Sequence, residues 1–229
     1  MIDKNNQGTQ NEMIINTEWG AFGDKGEIAF LLTEWDKRVD DATLNPGKQT
    51  FEKLISGMYM GEIVRQIILD LIEKKLIFKT NNVERLKVQG SFETKYISLI
   101  ESDPVGRFEN CHDVLKELGM ISVSKEDCSI LRYVCECVSR RAGFMVAAGC
   151  SALLKKMNHK DVTIAVDGSV FRYHPHFENI MRSQIKQLMG AEFEIDLVLS
   201  NDGSGRGAAL VAAALSSSAT SLKTAVKIL

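Results

Sequence analysis

The sequence is short of proline, with three in 229 residues, and nearly lacks net charge, at −2 near neutral pH. With 45% hydrophobic and 25% charged residues it reads as a globular chain, which excludes a disordered or fibrous polymer. A pI of about 6.1 and dispersed lysines and arginines exclude a charge-driven nucleic-acid or acidic-membrane partner. No apolar run reaches the length of a transmembrane helix, and the polar start, Met1 to Met13, does not read as a signal peptide. The five cysteines form no C-x-x-C pair. Cys135 and Cys137 stand as C-x-C in a helical stretch, where the two thiols face apart. This usage predicts reduced thiols in a cytoplasmic protein rather than a disulfide framework or a metal centre. A Gly-Lys-Ser/Thr phosphate loop, a G-x-S-x-G elbow and a Cys–His nucleophile arrangement are also missing.

What is present is an alternation of strand and helix patterns, which predicts an α/β layered domain. Residues 1–12 read as a flexible lead-in, 13–215 as the domain and 216–229 as a tail. Met13 to Gly20 is strand-like and stopped by glycine. After the turn at Asn45-Pro46-Gly47, a helix capped by Thr50 carries Ile55, Tyr59, Ile63, Ile67 and Leu71 on one stripe. A second helix starts at Ser124 with a capping-box pattern and runs for almost thirty residues. Its small residues Ala142, Gly143, Ala147, Ala148 and Gly149 invite close packing. Val162–Val166 is a strand, Asp167-Gly168 predicts a hairpin turn into Ser169–Tyr173, and a helix (176–189) and a strand (193–200) follow. The glycine-rich run from Gly203 to Gly207 then leads into a helix over 208–215.

Three groups of residues suit chemistry. The Gly203–Gly207 loop joins a strand to a helix, where outward amides and a helix N-terminus suit a phosphate; a turn serving packing alone is the competing reading. The tip at Asp167-Gly168-Ser169 offers amides and a hydroxyl, although most Asp-Gly tips are only turns. Glu18 and Glu52 flank turns beside aromatic residues, and paired carboxylates accept hydrogen bonds from polyol hydroxyls. Glu52 alone would equally complement a helix dipole. His174-Pro175-His176 reads as a strand-to-helix corner with no third metal ligand nearby.

In order and spacing, Asn16–Asp24, Asn45–Lys53, Ser56–Glu62, Gly90–Thr94, Ile100–Asp103, Val166–Ser169 and Gly203–Leu210 resemble the eukaryotic hexokinase family over about residues 13 to 215. The resemblance implies a ribonuclease-H-like layered fold of the actin, hexokinase and Hsp70 type, a mixed sheet with flanking helices. It implies ATP-dependent phosphorylation of the 6-hydroxyl of glucose and related hexoses, with ATP and Mg²⁺ as the substrate complex and no tightly bound cofactor. Glu18, Gln49 and Glu52 match sugar-binding positions. Gly57, Met58, Thr94, Ser98, Asp167, Gly168, Ser169 and Ser204 match nucleotide- or phosphate-binding positions. Asp167, Ser169 and Ser204 also correspond to glucose 6-phosphate contacts in members inhibited by that product. Met58 stands where some members carry lysine and so brings no charge. The family's catalytic aspartate, sugar-reaching lysine and two phosphate loops have no match in the chain, and this pattern is expected of a fragment that binds without catalysing. A non-catalytic hexose- or nucleotide-binding regulator is the alternative.

Overall fold

The computed structural model describes residues 15–79, 82–190, 192–203, 205–213 and 215. Helix α1 spans Glu34–Asp41, α2 Thr50–Ile55, α3 Gly57–Glu73, α4 Thr94–Ser102 and α5 Glu109–Glu117. The long helix α6 spans Lys125–Met157; strand β1, Asp161–Val166, helices α7, Ser169–Tyr173, and α8, Phe177–Met189, and strand β2, Glu194–Leu199, follow. No described helix is long and apolar enough to cross a membrane.

Each boundary has a local cause. Thr33 and Asp36 form a reciprocal capping box that starts α1. The Ser124 side chain accepts the Asp127 N–H at 3.1 Å and starts α6. That helix ends at Asn158, which adopts the left-handed conformation tolerated by its short polar side chain. The core lies among α3, α4, α5, α6 and α8, with Val64, Ile97, Ile100 and Met181 fully buried at its centre. Small residues on α6 do allow close packing: a Cβ at Gly143 would stand 2.6 Å from the Ile180 side chain of α8.

Three expectations change. The helix expected from Thr50 through Leu71 is broken at Ser56, whose ψ of 140° is extended and whose hydroxyl oxygen caps α3 by accepting the Met58 N–H at 3.2 Å. The strand-like run at 13–20 contains no strand among its described residues; Trp19–Ala21 is a single 3₁₀ turn. Asp167-Gly168 is no hairpin. The chain enters α7 there, and β1 pairs in parallel with β2, Val166 opposite Leu199. A hairpin needs a strand after the tip, but Phe171 of α7 is instead drawn into the core. The expected lead-in, 1–12, and tail, 216–229, fall outside the described residues, as does Ser204; residues 205–213 are helical, so the helix expected from 208 already includes Gly205 to Gly207 of the glycine-rich run.

Candidate functional site

Parallel pairing puts the carboxyl ends of β1 and β2 side by side, so both glycine tips emerge at one edge. Open α/β sheets bind ligands at this edge. The tips are joined directly: the Asp167 carboxylate accepts the Gly203 N–H at 2.9 Å, and the Ser200 N–H donates to the Val166 carbonyl at 2.8 Å. A Cβ at Gly168 would meet nothing within 4 Å, so the space over the first tip is open.

The opposite wall starts with Trp19, whose indole lies against Gly149 of α6 and, at 5.5 Å between ring centroids, against Phe51. This clamp fixes the turn that presents Glu18. Glu18 has φ 46° and Gln49 φ 56°, left-handed conformations that are uncommon for residues other than glycine. Such strain concentrates at functional sites. Asn16 holds the first: its Nδ2 donates to Glu18 Oε1 at 2.6 Å. Asp24 holds the second by accepting the Gln49 N–H at 3.2 Å and the Thr50 N–H and hydroxyl at 2.9 and 2.8 Å. Desolvation raises the Asp24 carboxyl, but the Thr50 and Gln49 hydrogen bonds outweigh it and leave its pKa below the ordinary value. Thr50 therefore does not cap α2 as expected from sequence; Gln49 occupies that position without a side-chain cap.

Beneath α2, the buried Lys53 ammonium donates to Asp40 Oδ1 at 2.6 Å, the Thr43 hydroxyl at 2.8 Å and the Asn45 carbonyl at 2.7 Å. It ties down the turn that leads to Gln49 and Glu52. Close backbone approach then assembles the wall: a Cβ at Gly20 would collide with Gln49 Oε1 and stand 3.5 Å from Glu52 Oε2.

A cavity of about 650 Å³ lies between the two walls, lined by Glu18, Gln49, Glu52, Gly57, Met58, Asp167, Gly168 and Ser169 among others. Gly57 is where its walls approach most tightly, because a Cβ there would stand 2.7 Å from Val170 Cγ2, 3.7 Å from Ser169 Oγ and 3.8 Å from Thr94 Cγ2. Thr94 lines an adjoining recess of about 330 Å³ with Gly57, Met58 and Glu93. Its hydroxyl oxygen accepts the Gly61 N–H at 2.9 Å and joins α4 to α3. Ser98, one turn further along α4, lines neither space.

Sequence reasoning missed the supports. Asp24, Asn16 and Lys53 were visible only as polar residues beside turns, and nothing local marked their partners. Nor was there a signal that His174 meets Glu101. Both are buried, with His174 Nε2 3.2 Å from Glu101 Oε1, off the line of a hydrogen bond, while the Ser139 hydroxyl donates to the same oxygen at 2.7 Å. Among the described residues no group of three or more His, Cys, Asp or Glu side chains can hold a metal ion.

The parallel β-α-β unit backed by helices is a layered α/β arrangement, and structural matches to hexokinases place it in the ribonuclease-H-like class that includes actin and the sugar kinases. A solved hexokinase from Schistosoma mansoni, complexed with glucose, matches with a TM-score of 0.82 at 44% identity, covering 87% of this chain and 45% of that one. The hexokinase family profile matches residues 1–214, and the chain belongs to the hexokinase family. The Schistosoma mansoni hexokinase sequence is 44% identical over 203 residues, and hexokinase-1 of Rattus norvegicus is 44% identical over 213. The chain spans 45% of the length of the first and 23% of the second.

Proposed function

We propose that this chain forms the sugar- and nucleotide-binding wall of a hexokinase that transfers the γ-phosphoryl group of ATP to the 6-hydroxyl of glucose or a related hexose. The observation that carries this reading is the single cavity shared by Glu18, Gln49, Glu52 and the Asp167–Ser169 tip. Ionised carboxylates are acceptors only, so Glu18 and Glu52 would take hydrogen bonds from sugar hydroxyls, with the Gln49 amide able to donate or accept beside them. The left-handed backbones of Glu18 and Gln49 and the helical one of Glu52 fix these groups before sugar arrives, which reduces the ordering cost of binding.

Across the cavity, the Gly168 and Ser169 amides and the Ser169 hydroxyl would serve phosphate oxygens of ATP, ADP or an inhibitory glucose 6-phosphate. Gly57, Met58 and Thr94 would border the rest of the nucleotide; Ser98, which lines neither space, leaves that set, and Ser204 would join it on the family resemblance alone. Magnesium arrives with the ATP as part of the substrate; no metal ligand is assigned to this chain. The chain's residues bind and orient the sugar. None of them is assigned to take the proton from the 6-hydroxyl. A cytoplasmic location fits the five free thiols.

Calorimetric titration of the chain with glucose tests the sugar wall. Saturable binding is expected, weakened about 10- to 100-fold in Glu52→Gln, the loss of one charged hydrogen bond. Equal affinity in wild type and Glu52→Gln would remove Glu52 from the site.

A further inference from the structure

Helix α7, which follows the Asp167-Gly168-Ser169 tip, has only five residues, too few to hold its own direction. The side chains around it therefore set where Ser169 stands. Phe171 sinks into the core, and Arg172 donates to Asn201 Oδ1 at 2.6 Å. His174 ends the helix, its N–H donating to the Val170 carbonyl at 3.0 Å. Its buried imidazole faces the equally buried Glu101 of α4, with Nε2 3.2 Å from Oε1. The His174 Nδ1 accepts the His176 N–H at 3.2 Å, so the neutral ring carries its proton on Nε2, the atom facing the carboxylate. That Nε2 lies off the line of a hydrogen bond and has no other partner. Its surroundings hold the ring in place. Phe177 packs edge-on at 6.0 Å between centroids, and His176 Nε2 donates to the Glu101 carbonyl at 3.1 Å. From α6, the Ser139 hydroxyl donates to Glu101 Oε1 at 2.7 Å and fixes the carboxylate.

Glu101 belongs to the last turn of α4, the helix whose first residue is Thr94. Thr94 and Ser169 flank Gly57, which lines both the cavity and the adjoining recess. One buried contact thus joins the far ends of the two helices whose near ends carry these residues. At 1.5 Å per residue, Glu101 stands about 10 Å along α4 from Thr94, and His174 about 7 Å along α7 from Ser169. We propose that Glu101 and His174 are positioning residues for the nucleotide side of the cavity, bracing α7 against α4 so that Ser169 stands opposite Thr94. The proposal rests on the reading of those two residues as nucleotide contacts. Neither member of the pair lines the cavity or the recess. A buried carboxylate that loses its facing imidazole keeps the cost of desolvation, so the contact resists being opened. The sugar side is held by other residues, Asn16, Asp24, Lys53 and Trp19, so the two ligands report on different supports.

Calorimetric titration of the full chain with MgADP and with glucose tests the brace. In His174→Asn the side-chain oxygen can still accept the His176 N–H, but the contact with Glu101 is gone. MgADP affinity is expected to fall about 10-fold, the weight of one hydrogen bond to a charged group, with glucose affinity unchanged. In His174→Gln an amide N–H stands where Nε2 stood, and MgADP affinity should return to within about 2-fold of wild type. Loss in neither variant, equal loss in both, or a matching fall in glucose affinity overturns the proposal. Should His174→Asn fail to fold, Ser139→Ala frees the same carboxylate without touching His174. That variant is expected to bind MgADP about 3-fold more weakly, and an unchanged affinity overturns the proposal as well. A wild-type chain that binds no MgADP would refute the nucleotide reading and leave the brace to hydrogen exchange. Amides of 169–174 should then exchange about 10-fold faster in His174→Asn than in wild type or His174→Gln, with α2 unchanged. Equal rates in all three would overturn the brace itself.

Discussion

Asp36 is held from two sides, by Thr33 of its own turn and by Arg141 of α6. Its carboxylate is buried and accepts two bonds from Arg141, each at 2.7 Å, and two from Thr33, from its N–H at 2.8 Å and its hydroxyl at 2.7 Å. Replacing one partner of a buried pair leaves the other charge uncompensated, which costs more than the pair contributes as a whole. Asp36→Asn is expected to lower unfolding free energy by about 3 kcal/mol, read as a drop in urea midpoint. Tyr96 offers a second check, through protons. Burial, then the hydroxyl's 2.6 Å bond to Glu117, push its pKa up to about 12 from 10.0. A folded pKa raised above the unfolded one stabilises the fold below the unfolded value and fades as pH rises through the folded one. This contribution is therefore intact below about pH 10 and disappears between 10 and 12. Absorbance titration should show one tyrosine ionising late and together with unfolding; four tyrosines ionising alike would contradict the bond.

At the scale of elements, glycines decide how closely backbones approach. A Cβ at Gly149 would stand 2.8 Å from Trp19 Cζ3, the rigid ring that anchors the turn bearing Glu18. Gly149→Ala should therefore act twice, lowering stability by roughly 1–3 kcal/mol and weakening glucose binding. Thermal denaturation and calorimetry on the same variant separate the two effects; a stability loss with unchanged glucose affinity would break the link between Trp19 and Glu18. Gly61 plays the same part between α3 and α4, where a Cβ would collide with the Phe92 carbonyl. That α3 and α6 are helices was legible in sequence because apolar spacing near 3.6 residues is a local pattern; which face of α3 is buried was not, since Met60, Val64 and Ile68 face the core while Tyr59, Ile67 and Leu71 of the expected stripe are half-buried. Nor was the break at Ser56, since extended backbone there depends on what α2 and α3 each pack against.

As a whole molecule the chain encloses a cavity between the side bearing Glu18, Gln49 and Glu52 and the Asp167–Ser169 tip, the groups proposed for sugar and for phosphate. With the residues in hand assigned to orient rather than to take a proton, the isolated chain is expected to bind glucose but give no ATP-dependent glucose phosphorylation. A coupled assay with purified chain checks this; turnover above background would require a proton acceptor among these residues. Saturable binding without turnover is common to the wall of a larger hexokinase and to a non-catalytic regulator. Mixing the chain with the remainder of a relative separates the two, because only the first regains turnover.

The order and type of the candidate site residues, the existence of the long helices and the family were determined by sequence alone, because each rests on spacing along the chain. Tertiary structure alone decided which residues meet. The Asp-Gly tip had the local signature of a hairpin, yet its strand pairs with one almost thirty residues later, and this parallel partner brings Asp167 to Gly203. Local propensity is worth a fraction of a kcal/mol per residue, whereas burying Phe171 in the core is worth about 1.5–3 kcal/mol, so packing overrides the turn signal. Glu18 and Gln49 follow the same logic: their left-handed backbones are locally unfavourable and persist because Asn16, Asp24 and the Trp19 clamp hold them from outside.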